Sequence, residues 1–217
     1  MSEPSDRELL QCARQGDPAA FRTLVRRHDR YLYRVARSVL ADDNEAEDVV
    51  QQTYLQAFTK LQAFRGAASL RTWLTRITLN EAIRRRRTWR STVPLSAVEA
   101  ARERDENPDP ERTAARSQIR QILEAAIDDL PAAFRTVLVL RDVEEASVEQ
   151  TAKVLGIKPE TVRTRLHRAR SMLRERLGEQ FAMALKDVFP FELPRCNRLV
   201  RRMLDQLGFG SPMRALR

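Results

Sequence analysis

The sequence predicts an all-α protein: two small helical domains joined by a flexible acidic linker, followed by a C-terminal helical extension. Only 6 of the 217 residues are Gly, so few tight turns are available, while the strong helix formers Arg, Ala and Leu abound. Apolar residues recur at intervals of three and four along most of the chain, as they do on one face of an α-helix. One aperiodic stretch separates two such regions, which indicates two domains.

Residues 5–90 form the first predicted domain. Ser5 and Glu8 have the spacing of a capping box, which opens a short helix. Asp17 precedes a proline, as an N-cap precedes the first helical residue. The helix that follows carries an apolar stripe made of Phe21, Leu24, Val25, His28, Leu32, Val35, Ala36 and Val39. Because His28 lies on this stripe, we predict a packed imidazole rather than a metal ligand.

Two further helices complete the first domain. Asn44 is predicted to cap the third helix, whose core side consists of Ala46, Val50, Thr53, Ala57, Phe58 and Leu61. The periodicity breaks at residues 64–66. Ser69 can then cap a fourth helix, which carries Leu70, Trp73, Leu74 and Ile77 inward.

Residues 91–112 are predicted to be the linker. They carry six acidic and three basic side chains, and the stretch "ERDENPDPE" has no large apolar residue. Residues 178–217 form the extension, which we expect to pack on the protein or to contact a partner. Its basic amphipathic helix has an apolar side made of Leu199, Val200, Met203, Leu204 and Leu207.

Residues 113–177 form the second predicted domain, which contains a helix-turn-helix. Its first apolar stripe consists of Ile119, Ile122, Leu123, Ala126, Ile127 and Leu130. Ser147 and Gln150 have capping-box spacing, Gly156 stands where a short turn between two helices needs it, and Pro159 suits the next helix start. A short helix, a turn and a basic second helix are typical of DNA-binding proteins.

The basic second helix has two distinct faces. Val162, Leu166, Ala169 and Leu173 share an inward face, and an outward face holds Arg163, Thr164, His167 and Arg168, with Arg165 and Arg170 on its flanks. Arginines on such a face can contact guanine edges in the major groove, and the flanking arginines can contact phosphates. The alternative is a solvated basic face on an ordinary bundle helix.

A second basic cluster covers residues 75–90, with six arginines and one glutamate. Four of these arginines are consecutive, so they surround the helix and suit a phosphate backbone better than base edges. Phe64, beside a predicted helix break, is expected to be an exposed platform on which unpaired bases stack. Trp73 is expected to belong mostly to the core.

The overall charge and the cysteines limit the protein class. A net charge of +9, mostly from arginine, predicts a polyanionic partner, either nucleic acid or an anionic membrane surface. Cys12 and Cys196 are too few and too distant for a disulfide framework, which favours a reducing compartment, and Cys196 is expected to be buried. We find no signal sequence and no apolar run that could cross a bilayer, so we expect a cytoplasmic protein without membrane insertion.

Three segments together resemble a known family. The segments are "AEDVVQQTYLQAF", "SLRTWLTRITLNEAIRRRR" and "VEQTAKVLGIKPETVRTRLHRAR". They are similar to the sigma factors of bacterial RNA polymerase, and to the short extracytoplasmic-function (ECF) group that keeps only sigma domains two and four. The resemblance covers residues 5–177. It implies three partners: core RNA polymerase, promoter DNA and an anti-sigma factor. Independently of the resemblance, the sequence has no glycine loop for phosphate, no cysteine-histidine metal spacing and no catalytic triad pattern, so we expect no enzyme activity, no cofactor and no metal.

The resemblance also implies roles for individual residues. Residues 48–58 match the motif that docks on the clamp helices of the largest polymerase subunit, and a further contact is implied with the flap of the second largest subunit. The implied docking residues are Asp48, Gln51, Gln52 and Leu55. The residues implied at the −10 element are Phe64, Arg65, Asn80, Arg84, Arg85 and Arg87. The residues implied at the −35 element are Thr161, Arg163, Thr164, Arg165, His167 and Arg168.

Two features depart from this family. Lys158 and Pro159 stand where a small polar cap often precedes the recognition helix, and the extension after residue 177 is not part of the minimal family. Two other functions remain open from the residues alone. One is a helix-turn-helix regulator that binds duplex DNA without docking on polymerase, and the other is an adaptor that sequesters another regulator.

Overall fold

The all-α prediction is confirmed by a computed structural model of the protein, which describes residues 3–92, 110–177, 188–189 and 193–208. Within these ranges the chain forms helices and turns and no strand. The helices are α1 (Asp6–Arg14), α2 (Pro18–Leu40), α3 (Asp43–Thr59), α4 (Leu70–Thr92), α5 (Pro110–Asp128), α6 (Ala132–Leu138), α7 (Val148–Leu155), α8 (Pro159–Leu177) and α9 (Leu193–Gln206). A 3-10 turn at Leu61–Ala63 follows α3, and a π-helical turn at Val139–Val143 follows α6.

The described residues fall into two compact units. The first contains the chain up to Ala82 together with α9, and the second contains the described residues between 83 and 189. The sequence placed the first domain at residues 5–90, so the structure differs in assigning the end of α4 to the second unit. The linker prediction falls largely on residues 93–109, which lie outside the described residues. The stretch between the two helices is shorter than the predicted linker at both ends, because α4 continues to Thr92 and α5 begins at Pro110.

The first unit is built around α2, which is buried along most of its length. The capping box of Ser5 and Glu8 is present, and the side chain of Asp17 accepts a hydrogen bond from the Ala19 amide at 2.8 Å. The prediction for Asn44 is wrong: Asp42 caps α3 by accepting from the Glu45 amide at 2.8 Å. Like an asparagine, an aspartate at this position accepts a hydrogen bond from the unpaired amides of the first helical turn, and the helix dipole also favours its negative charge.

His28 is buried, as its position on the apolar stripe predicted. Its Nε2 lies 2.9 Å from Oδ2 of Asp6, on α1. Burial lowers the pKa of His28, although the neighbouring Asp6 carboxylate opposes that shift. The imidazole therefore joins α1 to α2 as a packing and hydrogen-bonding group.

The second unit packs α5, α6 and α7 around α8. Leu123, Ile127, Val137, Leu138, Leu140 and Val162 form its most deeply buried core. The prediction that Ile119 and Ile122 face this core is wrong, since they are 43% and 44% exposed. Both lie N-terminal to the part of α5 that the other helices cover.

Helix α7 depends on its capping box, which gives a first testable prediction. The Ser147 hydroxyl accepts from the Gln150 amide at 3.0 Å, and Gln150 Oε1 accepts from the Ser147 amide at 2.8 Å. We expect Ser147→Ala to lower the free energy of unfolding of the second unit by about 1 kcal/mol, because the Gln150 amide loses its hydroxyl acceptor. Urea denaturation followed by circular dichroism measures it. Ser171→Ala, which removes a 3.4 Å contact to Glu175, is the control, and an equal loss there would contradict the cap assignment.

None of the helices in residues 3–92, 110–177 and 193–208 combines the length and the apolar character needed to cross a bilayer. The longest of them, α2 and α4, are both rich in arginine.

Candidate nucleic-acid interface

The helix-turn-helix predicted from the sequence is formed by α7 and α8. Gly156 ends α7 with φ +65°, a left-handed conformation that favours glycine. The Lys158 carbonyl then accepts from the amides of Thr161 and Val162, at 3.0 and 3.2 Å. Helix α8 thus begins at Pro159 as predicted, and the unusual Lys158-Pro159 pair does not delay its start.

The outward face of α8 is where the sequence placed it. Arg163, Thr164, His167 and Arg168 are exposed, while Val162 and Ala169 on the opposite side are fully buried. Thr161 and Arg165 are half-buried at the edges of the face. A helix that is buried on one side and carries exposed arginines on the other can enter the major groove.

Three side chains on or beside this face are engaged within the protein. Nη1 of Arg163 lies 3.6 Å from a carboxylate oxygen of Glu160, in an exposed ion pair. Arg170 was expected to contact phosphate, but its Nε and Nη2 donate to the two carboxylate oxygens of Asp142, at 2.9 and 2.7 Å. This bidentate pair raises the pKa of Arg170 and ties α8 to the π-helical turn. The Thr164 hydroxyl donates to the Glu160 carbonyl at 2.9 Å. The hydroxyl hydrogen of Thr164 is therefore engaged by the backbone of its own helix.

The second basic region lies along α4. Arg84 and Arg87 are exposed, whereas Arg85 is half-buried, as expected for consecutive residues that surround a helix. Asn80 is exposed one turn before them. The helix therefore presents an amide that can hydrogen-bond a base, followed by charges that can contact a phosphate backbone.

Phe64 and Trp73 form an aromatic pair. Their ring centroids are 4.8 Å apart with an interplanar angle of 32°, and both side chains are half-buried. The structure thus corrects two expectations, since Phe64 is not a freely exposed platform and Trp73 is not mainly a core residue. The two rings are in tilted contact, and Arg65, next to Phe64 in the chain, is exposed.

Arg14 positions this aromatic pair and was not predicted from the sequence. Its Nε donates to the Leu61 carbonyl at 3.1 Å, and its Nη2 donates to the Phe64 carbonyl. In return, the Gln62 side chain donates to the Arg14 carbonyl at 3.2 Å. About fifty residues separate the partners, so no local pattern could have indicated this anchor.

The polar strip on α3 is the third candidate surface. Asp48 and Gln52 are exposed, and Gln51 and Leu55 are half-buried. On the opposite side, Ala46, Val49 and Val50 are fully buried. This arrangement leaves a narrow polar edge on an otherwise packed helix, which suits a protein partner better than DNA because the strip carries no positive charge.

Two family models match the chain, one after the other along the sequence. Residues 24–92 match Sigma-70 region 2, and residues 120–173 match the model named Sigma-70, region 4. The first range contains the α3 strip, the aromatic pair and the α4 arginines. The second contains the helix-turn-helix.

Several characterised proteins are similar to this chain. The ECF RNA polymerase sigma factor SigE of Mycolicibacterium smegmatis is 36% identical, over 76% of this chain and 65% of its own length. SigM of Mycobacterium tuberculosis is 35% identical, over 81% of this chain and 86% of its own. The RNA polymerase sigma-H factor of Pseudomonas aeruginosa is 32% identical, over 82% of this chain and 96% of its own.

Solved structures show the same fold. CnrH, in complex with the cytosolic domain of CnrY, has a TM-score of 0.58 and 30% identity, covering 81% of this chain and 98% of CnrH. The sigma factor RpoE of Bartonella quintana, in complex with the anti-sigma factor NepR, has a TM-score of 0.53 and 27% identity, covering 69% of this chain and 91% of RpoE.

The family matched here consists of transcription initiation factors, which are not enzymes. Both family models occur in the expected order, and relatives above 30% identity extend over most of the chain. The protein is therefore a member of the sigma-70 family, an ECF sigma factor of bacterial RNA polymerase.

Proposed function

We propose that the chain docks on core RNA polymerase through the α3 strip, reads the −35 element with α8 and captures unpaired bases of the −10 element at the Phe64–Trp73 pair. The observation that supports this most directly is the coexistence of three surfaces of different chemistry on one chain. A regulator that binds only duplex DNA requires neither a polar docking strip nor an aromatic pair for unpaired bases. An adaptor has no use for an exposed arginine face on a helix-turn-helix.

The −35 contact is proposed for Arg163, Thr164, His167 and Arg168, with Thr161 and Arg165 at its edges. The −10 contact is proposed for Phe64, Arg65 and Asn80, followed by Arg84, Arg85 and Arg87 on the upstream phosphates. An open complex formed this way needs no ATP hydrolysis by this chain, because stacking and phosphate contacts offset the cost of unpairing. The protein acts without a catalytic site or a cofactor, in the cytoplasm.

Two protein contacts complete the proposal. The exposed pair of Ile119 and Ile122 offers a small apolar patch on α5 for the flap of the second largest polymerase subunit. An anti-sigma factor controls the chain, as one binds the RpoE relative.

The docking step is tested with Gln52→Ala, because Gln52 is exposed on the strip and its truncation leaves the core of the first unit intact. We expect about tenfold weaker binding to purified core polymerase, equivalent to one lost interface hydrogen bond of about 1.4 kcal/mol. Surface plasmon resonance with immobilised core polymerase measures it. Asn44→Ala, an exposed change near the start of the same helix, serves as the control. If the wild-type protein shifts promoter DNA but shows no affinity for polymerase, the docking proposal is wrong.

A further inference from the structure

Helix α9 lies beyond the two family models and packs along the groove between α2 and α3. Met203 is fully buried there and Leu199 is 3% exposed, and Val200 and Leu204 are also buried. The opposite side of α9 is polar and exposed. The amphipathic helix predicted from the sequence is thus confirmed, and four of its five predicted apolar residues are buried on the first unit, while Leu207 is half-buried just past the helix end.

The groove is acidic where α9 is basic. Arg195 lies 3.5 Å from a carboxylate oxygen of Asp43 and 3.5 Å from one of Glu47, both on α3. It also donates to the Tyr33 hydroxyl on α2 at 3.1 Å. Burial raises the pKa of Glu47, and Arg195 is the first of three arginines on α9 that oppose this shift. The groove therefore favours a basic amphipathic helix over a neutral or acidic one.

Two further polar contacts fix the position of α9 on α2. Arg26 donates to Oδ1 of Asn197 at 3.1 Å. The Cys196 thiol and the Asp29 carboxylate are both 4% exposed, and each influences the pKa of the other. Burial raises the pKa of Cys196 to about 12, so the side chain is a thiol that can stabilise the neighbouring carboxylate.

The C-terminal end of α9 reaches the strip on α3. Gln51, one of the proposed docking residues, donates from Nε2 to Oε1 of Gln206 at 3.0 Å. Asp43, Glu47 and Gln51 are spaced four residues apart, so they lie along one face of α3, and α9 contacts all three. Gln52 lies on the neighbouring face of the same helix. Packed helix axes lie about 8–10 Å apart, and a helix with its side chains is about 10–12 Å wide. A polymerase helix seated on Gln51 and Gln52 therefore meets α9.

We propose that α9 is an intramolecular cover of the polymerase-docking surface, and that the chain binds core polymerase tightly only after α9 has left the groove between α2 and α3. This inference depends on the proposed docking role of α3. The occupant of the groove is part of the same chain, so its competition with polymerase does not weaken on dilution. A partner whose own basic amphipathic helix displaces α9 from the groove, or a partner that binds α9 itself, changes whether polymerase can reach Gln51.

Releasing α9 should strengthen polymerase binding. Arg195→Glu places a carboxylate beside Asp43 and Glu47 and weakens the contact of α9 with the groove. We expect this full-length variant to bind immobilised core polymerase at least fivefold more tightly than Arg201→Glu. Arg201 is exposed on the outer side of α9, so Arg201→Glu makes the same charge change without touching the groove. Equal affinity of the two variants, or weaker binding by Arg195→Glu, would overturn the proposal.

Locking α9 in place should have the opposite effect. In the full-length variant Asp29→Cys, combined with Cys12→Ser, the new thiol faces Cys196, and oxidation with diamide joins α2 to α9. We expect the oxidised protein to bind polymerase at least fivefold more weakly than the same protein after reduction, with the disulfide verified by mass spectrometry. Equal binding in the two states contradicts the cover even if Arg195→Glu is poorly folded.

The two tests separate this inference from the proposed function. If the wild-type protein, Arg195→Glu and the reduced lock variant bind polymerase equally well, docking on polymerase stands and the cover is wrong. If none of them binds polymerase, the docking role of α3 is wrong, and the cover is wrong with it.

Discussion

The double substitution Arg163→Ala and Arg168→Ala should strongly reduce promoter-specific initiation while leaving polymerase binding unchanged. Both side chains are exposed on the outward face of α8, and neither contributes to the buried seam of the second unit. Each well-formed arginine contact to a base pair contributes about 1–3 kcal/mol of discrimination. Losing two of them predicts a decrease of at least about thirtyfold in transcription from a cognate promoter in vitro.

The control removes the same charge from the other end of α8. Arg174→Ala combined with Arg176→Ala also eliminates two arginines, and its structural cost is small because Arg176 makes only an exposed ion pair with Asp129. This control should weaken binding to all DNA sequences to a similar extent and preserve promoter preference. If both double variants lose promoter preference equally, Arg163 and Arg168 act only through their charge. If the first variant initiates normally, the reading face has been assigned to the wrong side of α8.

Local signals were sufficient to predict most of the helices. Ser147 with Gln150, Gly156 and Pro159 each satisfy a backbone requirement within a few residues, and the structure has the helix-turn-helix that they predicted. The predicted cap of α3 was wrong by two residues, because Asp42 and Asn44 are both competent caps and only the chain path after α2 selects between them. The sequence therefore predicts that a helix begins, and with which type of cap, better than it predicts the exact first residue.

Tertiary partners could not be predicted in the same way. Arg170 looks like a phosphate contact in the sequence, and only the folded chain brings Asp142 to its guanidinium. The Phe64–Trp73 pair and its anchor Arg14 likewise depend on contacts across the first unit. The basic amphipathic character of α9 was visible in the sequence, but its site on α2 and α3 was not, since nothing local distinguishes an acidic groove from scattered acids. A test of a role proposed for an exposed residue should therefore take into account the contacts that the residue makes in the folded protein.

Phe64→Ala should slow promoter opening far more than it weakens the closed complex. Removing this ring eliminates a stacking surface worth about 1–3 kcal/mol per base, which predicts roughly five- to a hundredfold slower formation of the open complex. The closed complex depends on duplex contacts by α8, which lie in the other unit. Permanganate reactivity of unpaired thymines measures opening, and a filter-binding assay at low temperature measures the closed complex.

The conservative variant Phe64→Tyr distinguishes stacking from structural damage, because it keeps a ring of similar size against Trp73. It should restore opening to within about threefold of the wild-type rate if stacking is the relevant interaction. A promoter with a mismatched −10 region should reduce the defect of Phe64→Ala, since part of the unpairing cost is already removed from the DNA. Should Phe64→Ala impair closed-complex formation and opening equally, the ring acts by holding the loop that Arg14 anchors. In that case the base-capturing role would pass from the aromatic pair to Asn80 alone.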